Sequence, residues 1–211
     1  MNKTQAITMI RANTGQDTAT PSTARVTDDQ IAAWLDLEYP RFRREVTALV
    51  PTLYSTTTAE QALTAADPLF DLPADFERVV RFEYEDDDDW YPVNVADPLE
   101  PGGPVGVDGD YRLVYTKRPD LTGTYTLEVP EGTEEIPILR VCAMVVVRGG
   151  GGAVEDPSFF LSRADQLWRE QKSVVRRRYG AHPVSGLRQV IDLGLYYREE
   201  AGKLVVSSKG V

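Results

Sequence analysis

The chain is poor in the residues that most often do chemistry. It has one cysteine and one histidine in 211 residues. A single cysteine excludes an intrachain disulfide, and Cys142 sits in an apolar run, where a buried thiol is expected rather than a reactive one. This usage is compatible with a reducing compartment without requiring it. One cysteine and one histidine, His182, cannot supply the ligands of an ordinary zinc site. A Cys–His nucleophilic pair would need Cys142 exposed. No apolar run approaches the ~20 residues that span a bilayer. The opening stretch MNKTQAITMIRANTG has neither the continuous apolar segment nor the small-residue cleavage site of a signal peptide. No membrane association is expected.

Catalytic signatures are missing too. There is no G-x-S-x-G, Walker A or G-x-G-x-x-G motif. The run Gly149 to Gly152 lacks the G-K-[ST] that would make it a phosphate loop and reads as a linker between helices. Asp86 to Asp89 lacks the spaced ligands and turn glycine of a calcium loop. Paired carboxylates such as Asp86 and Asp88 occur in glycosidases, but nothing else here forms a sugar cleft. The chain is therefore expected to be no enzyme and to carry no cofactor and no metal.

What is present suits a globular protein: 42% hydrophobic and 27% charged residues. The net charge of −10 is uneven. Residues 67–135 hold 19 acidic against 5 basic residues, a balance of −14, whereas residues 163–211 hold 10 basic against 5 acidic, a balance of +5. Two surfaces with different partners follow from such a split, although acidic residues also simply solvate a sheet.

Local patterns predict helices at both ends of a β-rich block. Lys3 to Ala12 reads as a short helix with Ile7 and Ile10 on one side, ended by Asn13-Thr14-Gly15, and residues 16–25 read as a loop. Thr27 with Gln30 makes a capping box, with Asp28 and Asp29 at the positive end of the helix dipole. Ile31, Leu35, Tyr39, Phe42, Val46 and Leu49 then recur at helix spacing. Pro40 should bend this helix and Pro51 mark its end. A helical turn is predicted at 59–66, and strands at Val79 to Tyr84 (with Val80, Phe82 and Tyr84 on one face), Trp90 to Val95, Tyr111 to Lys117, and Tyr125 to Val129. Asp86 to Asp89 forms a turn, and residues 98–109 a long loop. Ile136 to Arg148 is apolar on nearly all sides and is read as a helix. Asp156-Pro157 is a helix start, as N-cap and first position. That helix reaches Tyr179, with Phe160, Ala164, Leu167, Gln171, Val174 and Arg178 along one face and Phe159 and Trp168 nearby, and Gly180 ends it. Leu193 to Arg198 and Lys203 to Val206 read as a hairpin, marginal alone and expected to order against another chain.

The fold class expected is α+β: a helical bundle from residues 1–52 and 134–180, a small antiparallel β domain inserted at 53–133, and an extended C-terminal tail at 181–211. Arg176, Arg177 and Arg178 with Tyr179 close the long helix. Cations there complement the helix dipole. They also suit an acidic partner surface or DNA phosphates, and the acidity of the whole chain favours protein.

Several phrases carry a family resemblance: Asp71-Leu72-Pro73-Ala74-Asp75-Phe76, Trp90-Tyr91-Pro92-Val93, Tyr111-Arg112-Leu113-Val114-Tyr115, Pro119-Asp120-Leu121-Thr122 and Leu127-Glu128-Val129-Pro130. Together with the order of elements, they make residues 27–179 resemble the head–tail connector adaptors of tailed bacteriophages. The resemblance implies a structural virion protein, assembled in the host cytoplasm and placed in the neck of the particle. It implies a homo-oligomeric ring, commonly of twelve subunits, that docks on the portal protein and contacts a tail or neck protein. Genomic DNA would pass through the ring without specific binding. Portal docking would fall to Arg176, Arg177, Arg178, Tyr179, Arg188, Leu195, Tyr196, Tyr197 and Arg198, and a projecting acidic loop to Asp86, Asp87, Asp88 and Asp89. Two alternatives remain: an extracellular carbohydrate-binding module using Trp90, Tyr91, Tyr111 and Tyr115 as platforms, and a DNA-binding protein using the basic C-terminal region.

Overall fold

The computed structural model describes residues 1–16, 26–64, 69–92, 103–104, 108–150, 156–180, 195–200 and 203–208. It is an α+β fold. The chain divides into a helical unit, residues 1–50 with 119–180, and a β unit, residues 51–118 with 181–211. Among the described residues no helix is long and apolar enough to cross a membrane.

The helical unit begins with α1 (Lys3–Thr14), started by a capping box between Asn2 and Gln5 and stopped by Gly15, whose φ of 68° is left-handed. Ala6 and Ile10 are its buried side chains at the centre. α2 (Asp28–Leu49) starts as expected: the Gln30 amide donates to the Thr27 hydroxyl (3.2 Å), and the Thr27 amide donates to the Gln30 side chain (2.9 Å). Of the predicted face, Ile31, Leu35, Tyr39, Phe42 and Val46 are buried and Leu49 is half-buried, and the helix continues through Pro40 to Leu49. α3 (Glu135–Val145) is buried nearly all round, which explains its apolar composition, and a π-helical turn (Val146–Gly150) follows it. α4 (Pro157–Tyr179) has the expected Asp156 cap and Pro157 start. Its buried face differs from the expected one. Phe160, Ala164, Trp168 and Val175 point inward, while Val174 is exposed. Trp168 packs edge-on against Phe42 at 5.1 Å, and this contact sets the rotation of the helix.

The β unit is built on an antiparallel sheet. β1 (Ser55–Thr57), β4 (Phe76–Asp86), β5 (Asp89–Pro92) and β7 (Gly109–Lys117) lie in the order β1-β7-β4-β5, and β2 (Gln61–Leu63) also pairs with β7. The turn predicted at 59–66 is thus in part a strand, because Gln61 to Leu63 find Tyr111 to Gly109 as partners. β4 carries register shifts between Phe76 and Arg78 and between Val79 and Arg81. A bulge inserts one residue and shifts the side-chain alternation, so Val79, not Val80, joins Phe82 and Tyr84 at the core. That core consists of Leu63, Phe70, Phe76, Phe82, Tyr111, Leu113 and Tyr115.

A second sheet joins β3 (Leu69–Asp71), β9 (Lys203–Ser208) and β6 (Gly103–Pro104), with β8 (Leu195–Glu200) on β9. The C-terminal hairpin therefore forms, but it pairs with strands of its own chain and belongs to the β unit. It is not a tail apart. Most of residues 98–109, nearly all of 16–25, and Gly151 and Gly152 lie outside the described residues.

The expected strand at Tyr125 to Val129 is absent, and the boundary falls at Pro119 instead of residue 133. Only Thr126 bridges, to Asn2. The alternation is real, but its inward residues face helices. Tyr125 stacks on Tyr39 (5.5 Å, 12°) and donates to Asp36 (2.7 Å), and Leu127 is buried. The Lys3 amide donates to the Tyr125 carbonyl, and the Leu127 amide to the Met1 carbonyl.

α2 and α3 are clamped by charge. Arg140 makes two bonds to Glu45 (2.7 and 2.9 Å) and one to Glu38 (2.9 Å). Burial pulls the Arg140 guanidinium down, but its hydrogen bonds with both carboxylates outweigh this and hold it above its ordinary value. Glu38 is only 2% exposed. Removing one member of a buried pair leaves the other uncompensated, at a cost of about 3–5 kcal/mol. Arg140→Met is expected to lose that much in urea unfolding followed by tryptophan fluorescence. The double variant Arg140→Met with Glu38→Gln should recover part of the loss.

Candidate docking surfaces

The end of α4 presents the basic cluster. Arg176, Arg177 and Arg178 are exposed over the last turn, where their charge faces the negative end of the helix dipole. Arg178 pairs with Glu131 (2.6 Å) and lies 5.7 Å from the Tyr179 ring. The Gly180 amide closes the helix on the Arg176 carbonyl (2.9 Å). The sequence-predicted set divides here. Arg176 to Tyr179 stand together in the helical unit. Leu195, Tyr196, Tyr197 and Arg198 stand together on β8 in the β unit, opposite Ser208, Ser207, Val206 and Val205. Arg188 lies outside the described residues.

The acidic run forms a tight hairpin. Asp86 and Asp89 pair across the end of β4 and β5, and Asp87 and Asp88 make the two-residue turn with φ of 49° and 63°. Two central residues with positive φ match the right-handed twist of a hairpin, and glycine or asparagine fill such positions with less strain. Four carboxylates occupy this tip despite that preference. Glu85, next to them, is held above its ordinary value by desolvation first, then by Glu60, Asp110 and Asp88. The acidic surface is thus wider than the run: Glu60 and Asp110 reach it from elsewhere in the β unit. No spacing in the sequence could have signalled them. Among the described residues no three His, Cys, Asp or Glu side chains gather to hold a metal ion.

The outer face of the sheet carries a charged stack. Glu83 is buried and accepts from Arg112 (2.5 Å), and Arg81 pairs with it at 2.6 Å. The Arg112 guanidinium lies 4.1 Å from the centre of the Trp90 ring. One face of Trp90 is therefore covered, and Tyr111 and Tyr115 are core residues. Burial first, then its bond to Asp75, pushes the Tyr115 hydroxyl up to about 12. These three aromatics do not form an open platform. Cys142 is also buried, and desolvation pushes its thiol up to about 12. His182 lies outside the described residues.

The helical unit also has a groove that the sequence does not announce. It holds about 550 Å³ between Trp34 and Arg41 of α2, Arg140 and Met144 of α3, Val147, and Leu161 of α4. Around the unit, large apolar side chains stay in water: Leu37 is 70% exposed, Val147 69%, Phe159 61% and Leu161 46%. The first three sit off the buried faces of their helices, so only the packed structure separates them from core.

No protein-family model matches the chain, and a comparison with curated proteins finds no match.

Two expectations follow from these local geometries. Asp88→Gly should raise the urea midpoint of the β unit and Asp88→Val should lower it, because glycine takes this φ without strain and a β-branched side chain does not. Hydrogen bonds from the Ser158 side chain and amide hold the Asp156 carboxyl below its ordinary value. Its capping contribution is present above the unfolded value and lost as pH falls through the depressed folded one. Asp156→Ala should therefore melt below the wild type at neutral pH, with the gap closing on acidification in a calorimetric pH series.

Proposed function

We propose that this chain is a ring-forming head–tail adaptor of a tailed bacteriophage, a structural virion protein that docks on the portal and links capsid to tail. The observation that carries the reading is the set of large apolar side chains left exposed on the helical unit, Leu37, Val147, Phe159 and Leu161. Exposed apolar side chains gathered in one place mark sites of association, and Val147 and Leu161 line one groove of the unit. A ring closes through heterologous contacts, in which each subunit offers two different surfaces to its neighbours. The element order supports the same reading, since helices from both ends of the chain form one unit with the β strands set between them.

In this reading the basic end of α4, Arg176 to Arg178, meets an acidic groove on the portal. The acidic turn at Asp86 to Asp89 belongs to the β unit. Carboxylates near a channel would keep phosphates from adhering as the genome passes. The chain needs no catalytic group for this role.

The covered ring of Trp90 and the burial of Tyr111 and Tyr115 weigh against the carbohydrate-binding alternative. The DNA-binding alternative predicts affinity that falls steeply with salt.

Electron microscopy of the full chain mixed with portal rings provides the test. A second ring of density on each portal is expected. Bare portals at high protein concentration overturn the proposal. Arg176→Glu, Arg177→Glu and Arg178→Glu together should abolish decoration while leaving the circular dichroism unchanged.

A further inference from the structure

The first turns of α4 carry exposed apolar side chains on both flanks of the helix: Phe159 is 61% exposed and Leu161 46%. Two positions along an α-helix are a rotation of roughly 200°. Leu161, with Pro157 and Asp165, faces one way, into the groove that Trp34 of α2 and Met144 of α3 also line. Phe159 faces the other way. It stands over a smaller hollow with Met9 of α1 and Leu139 of α3, edge-on to the buried Phe160 at 5.3 Å. α4 thus separates an exposed aromatic ring from a groove of about 550 Å³. The ring cannot reach the groove of its own chain.

The charges around the two features are opposite. Among the groove residues, Glu38 and Arg140 bind each other at 2.9 Å, and Glu45 holds Arg140 from outside the lining. The exposed charges of the margin are Arg41, Arg148 and Asp165, two positive and one negative. Arg41 lies 3.7 Å from the engaged Glu38 and keeps most of its side chain in water. Around Phe159 the pattern reverses. Glu135 and Arg163 line the same hollow, and Asp156 caps the helix three residues before Phe159. All three are exposed, two negative and one positive.

We propose that Phe159 of one copy of this chain seats in the Trp34–Leu161 groove of the next. An apolar patch that fits a groove elsewhere on the same molecule makes a heterologous contact, which repeats from copy to copy. The side chains involved are of the kind enriched at protein interfaces: aromatic residues, methionine and arginine. The reversed margins fix the register of the contact and disfavour groove against groove or ring against ring. The proposal deepens the ring reading and rests on it for closure alone. With one rotation between neighbours the series closes, and with another it runs on as a filament.

The test uses the full chain in two variants. Phe159→Ser loses the ring and keeps the groove. Val147→Glu, at an exposed position of the groove, loses the groove and keeps the ring. Native mass and sedimentation are followed from micromolar to millimolar concentration, with circular dichroism as the check of folding. Should Val147→Glu lose its helical signal, Arg148→Glu on the same margin takes its place. The wild type should assemble, and each variant alone should need at least about tenfold more protein, as for loss of an interface anchor. Their equimolar mixture should form dimers and nothing larger, because one ring and one groove remain intact. A mixture that stays monomeric, or that grows past dimers, overturns the contact. A variant that assembles as well as the wild type places the subunit contact elsewhere and leaves the ring reading standing. A wild type that stays monomeric to millimolar concentration also overturns the contact, and decoration of portals then judges the ring reading by itself. Dimers in the mixture with wild-type filaments in place of rings uphold the contact and remove the ring.

Discussion

The helical unit depends on closing two stretches of chain that the whole segment 51–118 separates. Asp36 is where that closure concentrates. One carboxylate receives Lys3 from α1 and the Tyr125 hydroxyl from the returning chain, at 2.8 and 2.7 Å. Tyr125 then stacks on Tyr39, whose hydroxyl accepts from the Glu128 amide at 2.8 Å. Two distant segments are fixed by groups within one turn of α2. Burial of the Tyr125 hydroxyl, then its bond to Asp36, holds it well above its ordinary value, so it stays a neutral donor at every physiological pH. Further along the same helix, Glu38 and Glu45 receive Arg140. α2 thus offers its carboxylates to every other part of the unit except α4, which it meets through Phe42 and Trp168.

What the sequence reveals about this fold is mostly local. Thr27 with Gln30, and Asp156 with Pro157, are complete capping signals within four residues, and the structure uses them as such. The alternation of Tyr111, Leu113 and Tyr115 also appears in the core as expected. The misreadings share one cause, a distant partner. Tyr125 and Leu127 alternate like strand residues, yet their partners are helices. Val79 replaces Val80 because a bulge in β4 is imposed by pairing with β7. Val174 and Val175 are adjacent, and only the position of Trp168 against Phe42 decides which is buried. The candidate surfaces follow the same rule. The basic cluster and the acidic turn are runs of residues and can be read directly. The groove beside Trp34, the carboxylates around Glu85 and the cover of Arg112 on Trp90 join residues far apart in the chain.

The two units manage charge differently. In the helical unit the buried charges Arg11 and Glu38 have opposed partners in Asp28 and Arg140, and three exposed arginines close α4. Among the described residues of the β unit, Glu83 is the buried carboxylate, held between two arginines, while Asp71, Asp87, Asp88 and Asp89 are exposed. Desolvation first, then repulsion by Glu60, Asp110 and Asp88, raises Glu85 beside the tip of the β4–β5 hairpin. A surface of this kind repels phosphate and attracts basic partners, with a range of about 8 Å at physiological ionic strength. Contacts at that tip are therefore short-ranged in the cell.

Cys142 lies at the centre of α3 with no exposure, and its thiol neighbours the Ile10 carbonyl of α1 at 4.0 Å. Thiol reagents attack the thiolate, which burial suppresses here twice, by exclusion and by the raised pKa. Reaction of Cys142 under native conditions must therefore wait for an opening that uncovers α3, and thiol labelling reports how often the core of the helical unit opens.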